Sequence, residues 1–218
     1  LGSMNCHSMH HVRCRGRFMA AHLRWSTVLQ QLLSTFLPCA VSVKNRASSS
    51  STTSMFLNEQ QHKRMVPSDD ALVLEDYSIN DNKGRPDKTA VQGMQAGMEL
   101  LLRHARPRPY IHVLTHLFSH RNTSCTTARP EQLDPIHWPL AVHYGVPVLS
   151  MPAAMCSTEA APDTRTFERI WRAGCGELDA PGSSCGVHPG PTAHRALALL
   201  LASYILRHAA SAALAMCE

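Results

Sequence analysis

The sequence predicts an α/β fold: a doubly wound, mainly parallel sheet sandwiched between helices in three layers. Three observations lead there. Short apolar runs alternate with stretches of helical periodicity, the strand-to-helix step occurs four times, and Pro or Gly marks the joins, at Pro38, in "RPRP" (106–109) and at Gly145. Strands that each feed a helix pair in parallel through right-handed crossovers. The 218 residues, 44% hydrophobic and 17% charged, suit one domain with a sizeable core. The boundaries expected are an N-terminal arm over 1–24 and an α/β domain over 25–218.

Taken in order, "RWSTVLQQLLSTF" places Trp25, Val28, Leu29, Leu32, Leu33 and Phe36 on one helical face, and Pro38 stops the helix. "CAVSVKN" (39–45) reads as a short strand, "RASSSSTTS" as a polar strand-to-helix turn, and Met55 to Met65 as a weaker helix. "DALVLEDYSIND" (70–81) is a strand with a polar end from Ser78 onward. "DKTAVQGMQAGMELLLRHA" is a helix capped near Asp87. "YIHVLTHLF" is a strand. "LDPIHWPLAVHYG" is a helix opened by Asp134-Pro135 and closed at Gly145, and "VPVLSM" is the last strand. Helices over 163–174 and 191–208 complete the chain. In such sheets, functional groups collect in loops at the carboxyl ends of the strands, here 46–54, 78–86 and 118–130.

Composition excludes some classes of function. The net charge is +5, with Lys and Arg dispersed and no basic block, so no nucleic-acid surface is expected. "ALALLLASYIL" is too short to span a bilayer, no secretory h-region is visible, and no transmembrane segment is expected. The chain reads as a soluble protein or the soluble part of one. Gly2-Ser3-Met4 matches the remnant of tag cleavage, which would make residues 1–3 vector-derived and Met4 the native start. The eight cysteines form no C-x-x-C pair and leave the redox compartment undecided.

The order of the pieces over 25–208 resembles the SGNH (GDSL-type) hydrolases, serine esterases and acyl hydrolases. "VKNRASSSSTTSMF" is similar to the family's second block, "ALVLEDYSINDN" to its third, and "HPGPTAHRALALLLASYI" to its fifth. "AVHYGVPVLSM" matches the step that precedes the fifth. The resemblance implies that His188 is the general base and that Asn80 donates its amide to the oxyanion, helped by backbone amides of the 48–51 turn. It implies a small ester or acylated glycan as substrate, with no cofactor and no metal. His194 is read as a packing or capping residue.

The chain also departs from the family. Cys185 stands where the family's acid belongs, with Asp179 nearby but out of register. A serine, Ser50 or Ser51, replaces the second-block glycine, and Ala193 replaces the fifth-block glycine. No Gly-Asp-Ser block precedes Trp25. Ser8 is the best nucleophile candidate there, Ser3 and Ser26 being the others. The missing central strand is assigned to residues 8–18 in degenerate form, the alternatives being a strand from another chain or a truncated sequence.

Two blander readings of these residues stand beside the catalytic one: His188 as a solvated loop residue and Asn80-Asp81 as an Asx turn. A competing function is a catalytically inactive SGNH-like domain that serves as a binding or structural subunit for a protein partner. A third is metal binding through "CHSMHHVRC", where Cys6, His7, His10, His11 and Cys14 crowd together without the usual zinc spacings. "NTS" at Asn122 is a glycosylation sequon, meaningful only in a secreted chain.

Overall fold

The computed structural model describes residues 24–46, 51–67, 72–81, 86–106, 108–114, 134–156 and 189–208. The elements in chain order are α1 (Trp25–Phe36), a 3₁₀ turn (Thr53–Leu57), α2 (Glu59–Met65), β1 (Val73–Glu75), α3 (Ser78–Asp81), α4 (Lys88–Ala105), β2 (Tyr110–Leu114), α5 (Trp138–Tyr144), β3 (Val148–Ser150), α6 (Met151–Cys156) and α7 (Pro191–His208). The protein is therefore a mixed helix–strand fold. The chain divides into two compact units, one dominated by residues 46–164 and the other built from 5–45 and 165–218.

In the first unit, three parallel strands run in the order β1-β2-β3. Val73, Leu74 and Glu75 stand opposite Tyr110, Ile111 and His112, while His112, Val113 and Leu114 stand opposite Val148, Leu149 and Ser150. Every residue of β1 and β2 is buried, as expected of parallel strands covered on both faces. The core joins Phe56, Val66, Val73 and Tyr77 to Met98, Leu101 and Leu102 of α4. Phe56 and Tyr77 meet edge-to-face at 5.6 Å.

The capping of α4 follows the sequence. The Asp87 side chain accepts from the Ala90 amide at 2.8 Å, satisfying one orphan donor of the first turn. At Gly97 the helix lies directly against the 3₁₀ turn: a Cβ there would sit 2.0 Å from the Thr53 carbonyl oxygen. Only glycine permits that approach, which fixes the position of Thr53. α5 ends at Gly145, whose φ of 62° is the left-handed conformation a helix stop requires.

In the second unit α1 packs on α7. Trp25, Leu29 and Leu33 are buried on the first helix, and Ala193, His194, Leu197, Ala198, Leu201, Ala202 and Ile205 on the second. The spacings of three and four make one stripe, and its alanines allow the helix backbones a close approach.

Several expectations are corrected. Residues 39–45 are not a strand. The Val43 amide donates to the Gln30 side chain at 2.9 Å and the Val41 amide to the Ser34 hydroxyl at 3.4 Å, so polar residues of α1 take the backbone bonds a sheet would have taken. The Met55–Met65 helix is split into the 3₁₀ turn and α2. The polar end of the 70–81 strand is the helical turn α3, which caps the sheet instead of extending it. Asp134-Pro135 begins a turn, and the helix proper starts at Trp138. Met151 opens α6 instead of closing β3. The degenerate strand expected at 8–18 and the 163–174 helix lie outside the described residues. Among the described residues, no helix is long and apolar enough to cross a membrane.

Candidate functional site

Two polar features stand at the carboxyl ends of the strands. The first is the junction of two loops expected to carry function. Asn80, in α3 immediately after β1, is half-buried, and its side-chain amide donates to the Ser51 carbonyl at 2.7 Å. The next residue, Asp81, is fully buried and accepts the Thr53 amide on both carboxylate oxygens, at 3.0 and 3.2 Å. It also accepts from the Thr53 hydroxyl. The 46–54 and 78–86 loops therefore meet, and Asn80 sits at the join. Ser8, His188, Cys185, Asp179 and Ser48 to Ser50 lie outside the described residues.

The second feature is a buried chain of alternating carboxylates and imidazoles. Register creates its first link: Glu75 and His112 are cross-strand partners, and His112 Nδ1 bonds the Glu75 carboxylate. Glu75 also holds the Tyr77 amide at 2.7 Å with its other oxygen. His112 Nε2 lies 2.7 Å from Asp134 Oδ2. The same Asp134 oxygen lies 3.0 Å from His137 Nδ1, a pairing three residues apart that the turn before α5 provides. His137 Nε2 lies 2.8 Å from Asp81 Oδ2 and 3.2 Å from the Thr53 hydroxyl. The Thr53 hydroxyl is also 2.9 Å from the Met94 carbonyl of α4. All of these side chains are buried, and the two rings meet edge-to-face at 5.3 Å.

The protonation state follows from this connectivity. Every ring nitrogen of His112 and His137 faces a carboxylate oxygen, and an ionised carboxylate only accepts. Each imidazole must then carry both protons. Burial disfavours charge on His112, but Glu75 and Asp134 outweigh it and hold the ring well above the ordinary histidine range. His137, likewise opposed by burial and favoured by Asp134 and Asp81, is raised to about 9. Burial pushes against ionisation of Asp134 and Glu75 too, yet the imidazolium neighbours hold both below the usual carboxylate range, Asp134 strongly so. Burial, and then the Glu75 charge, raise the Tyr110 phenol well above its normal value.

Sequence reasoning missed this chain of residues, although two signals for it were present. Glu75 and His112 interrupt apolar runs, "VLE" and "YIHVL", and a charge inside a buried strand requires a partner. Asp134 and His137 have the three-residue spacing that puts side chains on one helical side. Nothing local names the partners, which are 22 to 37 residues apart for His112. His194, by contrast, matches its expected packing role: it is buried on α7, and its Nδ1 accepts the Trp25 amide at 3.4 Å.

No family model matches the chain, and no curated protein matches it.

Proposed function

We propose that the protein is an esterase or acyl hydrolase of the SGNH type, with the three parallel strands forming part of a doubly wound sheet. The observation that supports this reading is the position of Asn80. It stands at the carboxyl end of a parallel strand, with its amide bonded to the loop that resembles the family's second block. One amide N–H serves Ser51, and the second is the donor assigned to the oxyanion. In the proposed reaction a serine hydroxyl, Ser8 being the candidate, attacks the ester carbonyl while His188 takes its proton. The oxyanion is held by Asn80 and by backbone amides of the 48–51 turn. Collapse expels the alcohol, which receives the proton from His188. Water then enters by the same route and releases the acid. The substrate is a small ester or an acyl group on a glycan.

A second reading is favoured by the buried polar chain, in which Glu75, Asp81 and Asp134 bind the imidazoles of His112 and His137, and by Cys185, which stands where the triad acid belongs. On that reading the domain is inactive and serves as a binding or structural subunit for a protein partner. Hydrolysis of p-nitrophenyl acetate and butyrate separates the two. An active enzyme loses turnover in His188→Ala and Ser8→Ala, and Asn80→Ala lowers kcat by roughly 10²–10³, the scale for one oxyanion donor. Equal background rates in the wild type and all three variants would leave the inactive domain as the answer.

A further inference from the structure

We propose that His112, Asp134 and His137 form a binding site for a divalent cation of the Zn²⁺ type, with Glu75 and Asp81 as the carboxylates that orient its two imidazoles. One nitrogen of each ring, together with an Asp134 oxygen, makes a donor set lying within 4.8 Å of one another, and all three residues are buried. Two imidazoles and a carboxylate suit Zn²⁺ better than they suit Mg²⁺ or Ca²⁺, which take all-oxygen shells.

The arrangement behind these donors carries the argument further than their proximity. A metal-bound histidine characteristically donates its other ring N–H to a carboxylate, which fixes the tautomer and raises ligand basicity. Both rings have that partner here. His112 turns Nε2 toward Asp134 and gives Nδ1 to Glu75, while His137 turns Nδ1 toward Asp134 and gives Nε2 to Asp81. The two nitrogens that converge on Asp134 are thus the two left to bind a metal.

Tetrahedral donors at about 2.0–2.2 Å from zinc lie roughly 3.4 Å apart, so each ring retreats from Asp134 by about half an ångström on binding. Three protein donors leave the fourth tetrahedral position to a further ligand.

The test uses the full chain, stripped with a chelator and then supplied with zinc sulfate, with bound zinc per chain measured by mass spectrometry after desalting. The expected result is one equivalent bound together with a higher Tm. Asp134→Asn loses that equivalent, and Glu75→Gln, which removes the orienting charge and one of its two acceptors, weakens zinc affinity 10- to 100-fold. A variant with Cys6, His7, His10, His11 and Cys14 all replaced keeps the equivalent. A wild-type protein that is folded by circular dichroism and binds no zinc would overturn the proposal. So would zinc lost with the N-terminal replacements but kept in Asp134→Asn. Should Asp134→Asn fail to fold, unchanged affinity in Glu75→Gln overturns it equally.

Discussion

His112 and His194 are equally buried, yet their rings meet different partners. In the sheet-containing unit, His112 lies between two carboxylates and must donate from both nitrogens. In the helical unit, His194 accepts a backbone N–H on Nδ1, so that nitrogen carries a lone pair. One ring is held between two carboxylates, and the other packs between helices with one nitrogen accepting from the backbone. Burial of a histidine therefore says little about its role until the partners of both nitrogens are known.

Replacing each ring with leucine gives the largest expected contrast. His112→Leu leaves Glu75 without its imidazole and Asp134 with His137 alone in a dry interior, at a cost of about 3–5 kcal/mol. His194→Leu removes the acceptor of the Trp25 amide and costs about 1 kcal/mol. Urea denaturation of the two variants measures the difference, and equal losses would break the comparison.

The next effect is on pH dependence, in protein kept free of metal. The folded-state value of His137, about 9, lies above the ordinary 6.5. A raised value means that the contribution is complete below about pH 6.5 and is lost as pH rises through about 9. The loss is roughly 3 kcal/mol by linkage. Melting temperatures between pH 6 and 10 should therefore fall along that interval, and His137→Gln should flatten the fall.

The smallest effect separates two glycines of α4. Gly97→Ala drives a methyl group into the Thr53 backbone and costs about 1–3 kcal/mol. Gly93→Ala meets only the Ser54 Cβ at 3.8 Å, an ordinary contact, and gains up to about 1 kcal/mol in helix propensity. Thermal melts of both variants should move in opposite directions.

Periodicity and capping made α1, α4 and α7 legible in the sequence, because each carries its own apolar stripe and its stops are local. The β1, β2 and β3 runs were legible for the same reason, as short β-branched or aliphatic segments between turn residues. The 39–45 segment misled: its valines look like a strand, but Gln30 and Ser34 of the preceding helix capture its amides. Asn80 was legible as a polar residue closing an apolar run, though it lies in the helical turn that follows β1. The Glu75–His112–Asp134–His137–Asp81 chain was not legible, since its geometry arises from strand register and from a turn far along the chain, neither of which a local pattern encodes.

Thr53 has a kinetic consequence. Its hydroxyl meets Asp81, Met94 and His137, residues 28, 41 and 84 positions away. Each of those contacts closes a long loop before it is rewarded, so the hub assembles only after the helices and strands it joins. Interactions absent from the folding transition state set the rate of unfolding and leave the rate of folding nearly untouched. In stopped-flow chevrons, Thr53→Val should therefore steepen escape from the native state while refolding proceeds at the wild-type pace. Thr53 then acts as a latch on the finished fold, closing last and governing how long the native state persists.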